Sequence, residues 1–155
     1  MKQYHLNKLS PELGAEISGI DLSKDFNEEI QNKIYDDLIN YKVLFFRAQN
    51  ITPQFHVEFA KSFGSIEEPH PVYPHLDGFP EIVLLENDKD NPPDTDEWHT
   101  DVTFKNDPPF ASVLYSKTIP EVGGDTLWSS LSKIYDALPH DCLLYTSDAA
   151  DDLLC

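Results

Sequence analysis

Two side chains near the middle of the chain have the types and the spacing of a metal site. In the stretch DTDEWHTDVTF, a histidine and a carboxylate stand two residues apart, His99 and Asp101. Two histidines and one carboxylate on one face can hold divalent iron and leave other coordination positions open. In an extended segment, residues i and i+2 point to the same side, so both side chains can reach one ion while Thr100 faces away. A His-x-Asp pair also occurs often by chance on a polar surface, and that alternative stays open.

The neighbouring sequence favours the metal interpretation. Trp98 and the strand-forming residues 102–104 place the pair at the junction between a loop and a strand. A second histidine-bearing loop, HPVYPH, precedes it. In that loop we interpret His75 as a solvent-facing residue. His70 and Tyr73 are either donors to a small polar ligand or ordinary loop residues, and the residues alone do not decide between these alternatives.

Local patterns predict the elements that must position these residues. Apolar residues four apart, at Ile30, Ile34 and Leu38, indicate a helix that Asn27 can cap. Thr52 as N-cap followed by Pro53 marks the start of a second helix, in which we interpret His56 as an ordinary helix histidine. Alternation and apolar runs predict the strands. The predicted helices are 28–41, 53–63 and 131–138, and the predicted strands lie within 13–22, 42–47, 82–86, 98–104, 109–118 and 123–130.

The order of these elements bears on the fold class. Helices come first, and strands joined by long loops follow. This order favours a β-rich sandwich or barrel with helices packed outside it over a sheet of βαβ units.

Composition and charge limit the classes of partner. The chain has 155 residues and a formal net charge of -17, with 11 Lys+Arg against 28 Asp+Glu. Such a balance argues against binding a phosphate backbone, so we expect no nucleic-acid partner. No apolar run approaches the roughly 20 residues that span a bilayer, and no leader sequence is evident. Cys142 and Cys155 do not form a disulfide framework, so we expect a cytoplasmic protein.

Six stretches of the sequence, in this order, carry a family resemblance: GAEISGIDL, VLFFRAQNITP, HPVYPH, NPPDTDEWHTDVTF, PPFASVL and GGDTLW. Through them the chain resembles the taurine dioxygenase family of Fe(II)- and 2-oxoglutarate-dependent oxygenases. The resemblance implies an α+β, β-rich double-stranded β-helix, or jelly roll, with flanking helices. It implies that His99 and Asp101 are iron ligands and that Thr126 hydrogen-bonds a carboxylate of 2-oxoglutarate. The oxygenase reaction that the resemblance implies would also consume O2.

The resemblance also implies a small anionic substrate. His70 and Tyr73 match residues that hold the sulfonate and amine ends of the substrate, and Val102 lines the same pocket. Hydroxylation of an organosulfonate such as taurine would release sulfite, succinate and CO2. Thr95 stands where taurine-specific members have asparagine. An alkylsulfate or another small anion is therefore the alternative substrate.

The sequence departs from the family in its second half. The family's third iron ligand is a distal histidine, and two distal arginines bind 2-oxoglutarate and the substrate anion. Here His140 is the only histidine after Asp101, and no arginine follows Arg47. We therefore expect the C-terminal half of the jelly roll to be missing and this chain by itself to be inactive. It could alternatively be a non-catalytic β-rich binding module, or one subunit of an assembly that completes the site, since the family forms homo-oligomers.

The last stretch does not match the family. Residues 141–155 read DCLLYTSDAADDLLC, without clear periodicity and with clustered acids. We interpret 1–140 as the N-terminal part of a single dioxygenase domain and 141–155 as a non-family tail, a sequence artefact similar to translated adapter sequence. A genuine short acidic tail is the alternative.

Overall fold

The computed structural model describes residues 4–69, 72–90, 92, 97–102 and 105–143. These fall into two compact units, one made of 4–20, 36–47 and 122–143, the other of 21–35 and 48–121. Within the described residues, no helix has the length and apolar character needed to cross a membrane. The elements in chain order are β1 (His5–Lys8), β2 (Ala15–Ser18), α1 (Leu22–Asp25), α2 (Glu28–Tyr41), β3 (Leu44–Phe46), α3 (Pro53–Lys61), β4 (His75–Leu76), β5 (Phe79–Val83) and α4 (Leu131–Ala137).

The first unit is built on a three-stranded sheet with β2 in the centre. β1 pairs with β2 antiparallel, and β2 pairs with β3 parallel. Gly14 enters β2 with φ of 88°, a conformation that suits glycine, and its N–H donates to the Tyr41 carbonyl at 2.8 Å. Ala15 and Ile17 on β2 are fully buried. The strands predicted within 13–22 and 42–47 are confirmed.

A buried tyrosine ties the start of the chain to α2 in this unit. The Tyr4 hydroxyl donates to the Asp37 carboxylate at 2.6 Å. Burial raises the pKa of Tyr4, and the hydrogen bond and the charge of Asp37 raise it further. The neutral phenol is therefore the form that the folded chain stabilises.

In the second unit, an aromatic cluster joins α3 to the segment between α1 and α2. The ring of Phe26 lies 5.0 Å from that of Phe59 and 6.1 Å from that of Phe55, between ring centroids. Thr52 caps α3 by accepting from the Phe55 N–H at 3.1 Å, and Pro53 occupies its first turn. The Asn27 side chain likewise caps α2, because it accepts from the Ile30 N–H at 3.0 Å. Both predicted helix starts are therefore confirmed.

A short hairpin follows α3 in the second unit. β4 and β5 pair antiparallel, with His75 opposite Val83, and α3 packs near β5. The interpretation of His75 as a solvent-facing loop residue is wrong, because strand pairing makes it half-buried in β4. The strand predicted at 82–86 begins earlier, at Phe79, and ends at Val83.

Later in the chain, α4 confirms the helix predicted at 131–138. Ser130 is its N-cap, and the cap itself is buried. The apolar residues of the helix have the i, i+3, i+4, i+7 spacing of one helical face, yet all remain exposed: Leu131, Ile134, Tyr135 and Leu138. We call this face the α4 stripe.

The strands predicted within 98–104, 109–118 and 123–130 are absent from the described part of those stretches. A strand satisfies its backbone groups by pairing with a neighbour, and none of the described strands pairs with these segments. Across the described residues, helical residues therefore outnumber strand residues. The expectation of a β-rich chain is wrong for this part of the molecule, which mixes strands and helices.

Candidate metal centre

His99 and Asp101 lie side by side at the surface of the second unit. Nε2 of His99 is 3.6 Å from Oδ1 of Asp101. The two side chains are 57% and 60% exposed, so an ion in solution can reach both donor atoms. The structure thus brings together the pair that the sequence singles out.

A backbone carbonyl orients the His99 ring. Its Nδ1 lies 2.9 Å from the carbonyl oxygen of Glu97. A carbonyl can only accept, so Nδ1 carries the hydrogen and donates it. In the neutral ring, this leaves the lone pair of Nε2 on the side of Asp101. Metal-bound histidines commonly have this arrangement, with the second ring nitrogen donating to a carbonyl or a carboxylate.

The Asp101 carboxylate also has a partner. The Ser112 hydroxyl donates to Oδ2 of Asp101 at 3.3 Å, while Oδ1 is the oxygen nearest His99. The sequence analysis missed Ser112, because it was counted only as part of a predicted strand. A serine eleven residues after the aspartate gives no local signal, since only the fold brings the two side chains together.

The separation of the two donor atoms fits one metal ion. A ring nitrogen and a carboxylate oxygen each lie about 2.1 Å from a bound divalent transition metal, so two of them on one ion are at most about 4.2 Å apart. The observed distance of 3.6 Å is within that limit. Imidazole and carboxylate are also members of the donor set of non-haem Fe(II) sites. The pair therefore has the donor types of two positions of such a site, and its donor atoms are close enough to bind one ion.

No strand forms at the pair within the described residues 97–102, and only Asp101 and Val102 of that stretch lie in a turn. Val102 has φ of 54°, in the left-handed region where a β-branched residue is an outlier. The N–H of Lys105 donates to the Val102 carbonyl at 3.2 Å. His99 and Asp101 therefore meet without the strand geometry that was expected to align them.

The predicted substrate residues are only partly described. His70 and Thr95 lie outside the described residues. Tyr73 is half-buried in a bend that leads into β4, in the same unit as the pair. Val102 is also half-buried, directly after Asp101.

Thr126 belongs to the first unit and is exposed. It follows Gly123 and Gly124, whose φ values of 80° and 70° suit glycine. Two residues later, the ring of Trp128 meets the edge of Phe45 on β3, with centroids 5.2 Å apart. The Trp128 contact therefore anchors the chain on the C-terminal side of Thr126.

The other histidines supply no third ligand among the described residues. His56 is half-buried and its Nε2 lies 3.0 Å from the Val113 carbonyl, so its interpretation as an ordinary helix histidine is confirmed. His140 is exposed near the end of the described chain. No group of three or more His, Cys, Asp or Glu side chains that could hold a metal occurs in the part of the chain that the structure describes.

Comparison with known proteins identifies the family. Residues 5–143 match the family described as "Taurine catabolism dioxygenase TauD, TfdA family". The chain belongs to this family. Its members use Fe(II), 2-oxoglutarate and O2, in agreement with the chemistry of the His99–Asp101 pair.

Two curated relatives have names that refer to sulfate esters. An "Alkylsulfatase" of Acinetobacter baylyi is 42% identical over 139 residues, which cover 89% of this chain and 43% of the relative. An "Alpha-ketoglutarate-dependent sulfate ester dioxygenase" of Pseudomonas putida is 40% identical and covers 82% of this chain and 42% of the relative. The chain thus spans less than half the length of these relatives.

A solved structure shares the fold. The crystal structure of a taurine dioxygenase from Burkholderia xenovorans matches with a TM-score of 0.77 and 36% identity. The match covers 92% of this chain and 50% of that protein. Nearly all of this chain therefore adopts the fold of the corresponding part of that enzyme.

Proposed function

We propose that a family-length protein containing this chain is an Fe(II)- and 2-oxoglutarate-dependent dioxygenase of small organosulfur anions. The observation that carries the proposal is the His99–Asp101 pair. Its two donor atoms are 3.6 Å apart, and the Glu97 carbonyl orients the ring. Membership of the family supports the same activity.

Two residues of this chain would occupy two coordination positions of the metal. His99 would bind through Nε2 and Asp101 through Oδ1. When bound, the iron would supply the oxygen-activating chemistry that couples decarboxylation of 2-oxoglutarate to hydroxylation of the substrate. These two ligand types also accept other divalent ions, so the choice of iron rests on the family.

The remaining ligand and the anion-binding arginines would come from outside this chain. The sequence has no arginine after Arg47. Because the chain spans 42–50% of the relatives described above, a longer protein has ample length to supply them. The jelly roll would likewise be completed by strands that pair with segments 98–118. We accordingly expect the 155-residue chain alone to produce no substrate-stimulated succinate.

Thr126 would bind 2-oxoglutarate. Its hydroxyl can donate to a carboxylate oxygen. The contact between Trp128 and Phe45 anchors the chain two residues after it.

A sulfate ester is the substrate that we favour. The two curated relatives described above act, by their names, on sulfate esters or alkylsulfates, at 42% and 40% identity. Thr95, in place of the asparagine of taurine-specific members, also disfavours taurine, because threonine lacks the paired donor and acceptor of an amide. His70, Tyr73 and Val102 would line the substrate pocket. Hydroxylation of the carbon that bears the sulfate would release inorganic sulfate and an aldehyde.

A sulfonate such as taurine is the second candidate. The solved taurine dioxygenase, 36% identical to this chain with a TM-score of 0.77, supports it. Hydroxylation of the carbon that bears the sulfonate would release sulfite in place of sulfate. The inorganic product therefore distinguishes the two substrates.

The test uses the family-length gene product with Fe(II), 2-oxoglutarate and a panel of alkyl sulfates and sulfonates. We expect succinate and inorganic sulfate in equal amounts with an alkyl sulfate, and no reaction for Asp101→Ala. Thr95→Asn is the matched specificity variant and should shift the preference toward taurine and sulfite. Absence of substrate-stimulated succinate across the panel would overturn the proposed function.

A further inference from the structure

We propose that Ser112 is a positioning residue that fixes the Asp101 carboxylate for metal binding. The inference rests on the proposed metal site and adds to it a residue from a distant part of the sequence. Ser112 would touch neither the metal nor the substrate. It would act through the carboxylate alone.

The two oxygens of Asp101 have different neighbours. Oδ2 accepts from the Ser112 hydroxyl at 3.3 Å, and Oδ1 lies 3.6 Å from Nε2 of His99. The hydroxyl must be the donor, because an ionised carboxylate only accepts. One oxygen is thus held by serine, and the other faces the ring nitrogen that would share the metal.

An exposed aspartate needs such a partner. The terminal torsion of aspartate is broad and roughly two-fold, so an unrestrained carboxylate rotates and exchanges its oxygens. Asp101 is 60% exposed, and side-chain packing therefore does little to restrain it. A hydroxyl on Oδ2 favours the rotation in which Oδ1 faces His99, which lowers the ordering cost of binding a metal.

The segment that carries Ser112 is itself anchored. The next residue, Val113, accepts through its carbonyl from Nε2 of His56 on α3 at 3.0 Å. The Tyr115 hydroxyl donates to the Gln49 carbonyl at 3.2 Å. These two contacts hold residues 113–115 against the start of α3 and the loop before it, although no strand forms there. Ser112 is therefore presented from a fixed backbone.

The length of the hydrogen bond bears on its role. A distance of 3.3 Å exceeds the usual 2.7–2.8 Å of O–H···O bonds, so the contact is weak. Partners that bind the second atom of a ligating side chain change metal affinity by about 10- to 100-fold. An exposed and weak contact belongs at the lower end of that range.

The test is a Mn(II) titration of the 155-residue chain, followed by broadening of the His99 imidazole signals in NMR spectra. Threonine and valine side chains have nearly the same shape, but only threonine carries a hydroxyl. Ser112→Thr and Ser112→Val are therefore a matched pair. We expect Ser112→Val to weaken Mn(II) binding by about 10-fold and Ser112→Thr to retain it. Ser116→Val, at an exposed serine of the same segment, should leave binding unchanged.

Two outcomes would overturn the proposal, and they are distinguishable. If the wild-type chain shows no broadening at His99, the proposed metal site fails and the role of Ser112 fails with it. If the wild type responds and Ser112→Val binds Mn(II) equally well, only the role of Ser112 fails. Should Ser112→Val lose its fold by circular dichroism, Ser112→Ala removes the hydroxyl without adding volume and must show the same weakening.

Discussion

Residues 4–83 and residues 97–143 differ sharply in packing. The first stretch contains every strand of the described chain and all nine buried apolar residues, from Tyr4 to Phe59. In the described part of the second stretch, Ser130 alone is buried, and the α4 stripe faces solvent. Both stretches are rich in apolar residues, so composition does not explain the contrast.

The contrast in burial follows from which segments have pairing partners within the described chain. β2 has β1 on one side and β3 on the other, and its apolar side chains are buried. Segment 109–118 alternates like a strand but pairs with none of the described strands. A strand pattern becomes a strand only where a second edge supplies hydrogen bonds.

The largest expected effect is on core stability in the first stretch. Ile17 is fully buried, and Ile17→Ala should lower the free energy of unfolding by about 3 kcal/mol, from lost burial and the remaining cavity. Ile119 is 66% exposed, and Ile119→Ala should change the free energy of unfolding by less than about 0.5 kcal/mol. Urea unfolding followed by circular dichroism measures both. Equal losses would show that the second stretch is packed as firmly as the first.

An intermediate effect is expected at the Tyr4–Asp37 hydrogen bond. Tyr4→Phe should cost about 2 kcal/mol at neutral pH, because the bond is to a charged acceptor. The pKa of Tyr4 is raised in the folded chain, so its contribution is complete below the unfolded pKa of about 10. It is lost as pH rises above that value.

The stability difference between wild type and Tyr4→Phe should accordingly shrink in urea titrations at pH above about 10. Tyr135→Phe, at an exposed tyrosine of α4, is the matched control and should have little effect at any pH. A difference that grows at alkaline pH would contradict the assigned shift.

The smallest effects compare two helix caps. Thr52→Ala removes the cap of α3, which packs in the second unit, and should cost about 1 kcal/mol of global stability. Ser130→Ala removes the cap of α4, whose contact to the Lys133 N–H is longer at 3.4 Å. We expect Ser130→Ala to reduce helix content and to change the urea midpoint less than Thr52→Ala does. A larger shift for Ser130→Ala would make α4 part of the cooperative core.

Local signals were sufficient for much of the fold. The caps at Asn27, Thr52 and Ser130 and the apolar stripe of α2 each depend on residues within one or two turns. Sequence reasoning failed in the described parts of 98–104 and 109–118, because strand formation there depends on a neighbour that the local pattern does not contain. It also misjudged His75, whose half-buried position follows from pairing with Val83.

The candidate site divides in the same way. The spacing of His99 and Asp101 predicted that the two side chains meet, and they do. Ser112 and the Glu97 carbonyl could not be predicted, because a hydroxyl eleven residues away and a backbone oxygen leave no motif. The roles of Thr126, Tyr73 and Val102 in binding stay predictions, as do those of His70 and Thr95.

The backbone at Val102 gives the site a built-in reporter. A valine at φ of 54° sits in a sparsely populated region that costs roughly 1–3 kcal/mol, so its shape depends on what surrounds it. Metal binding at Asp101, the preceding residue, can change the backbone conformation of Val102. Such a change would shift the NMR signals of the Val102 amide and methyl groups. In a sample labelled at valine methyls, this one residue should signal occupancy of the site before any product is formed.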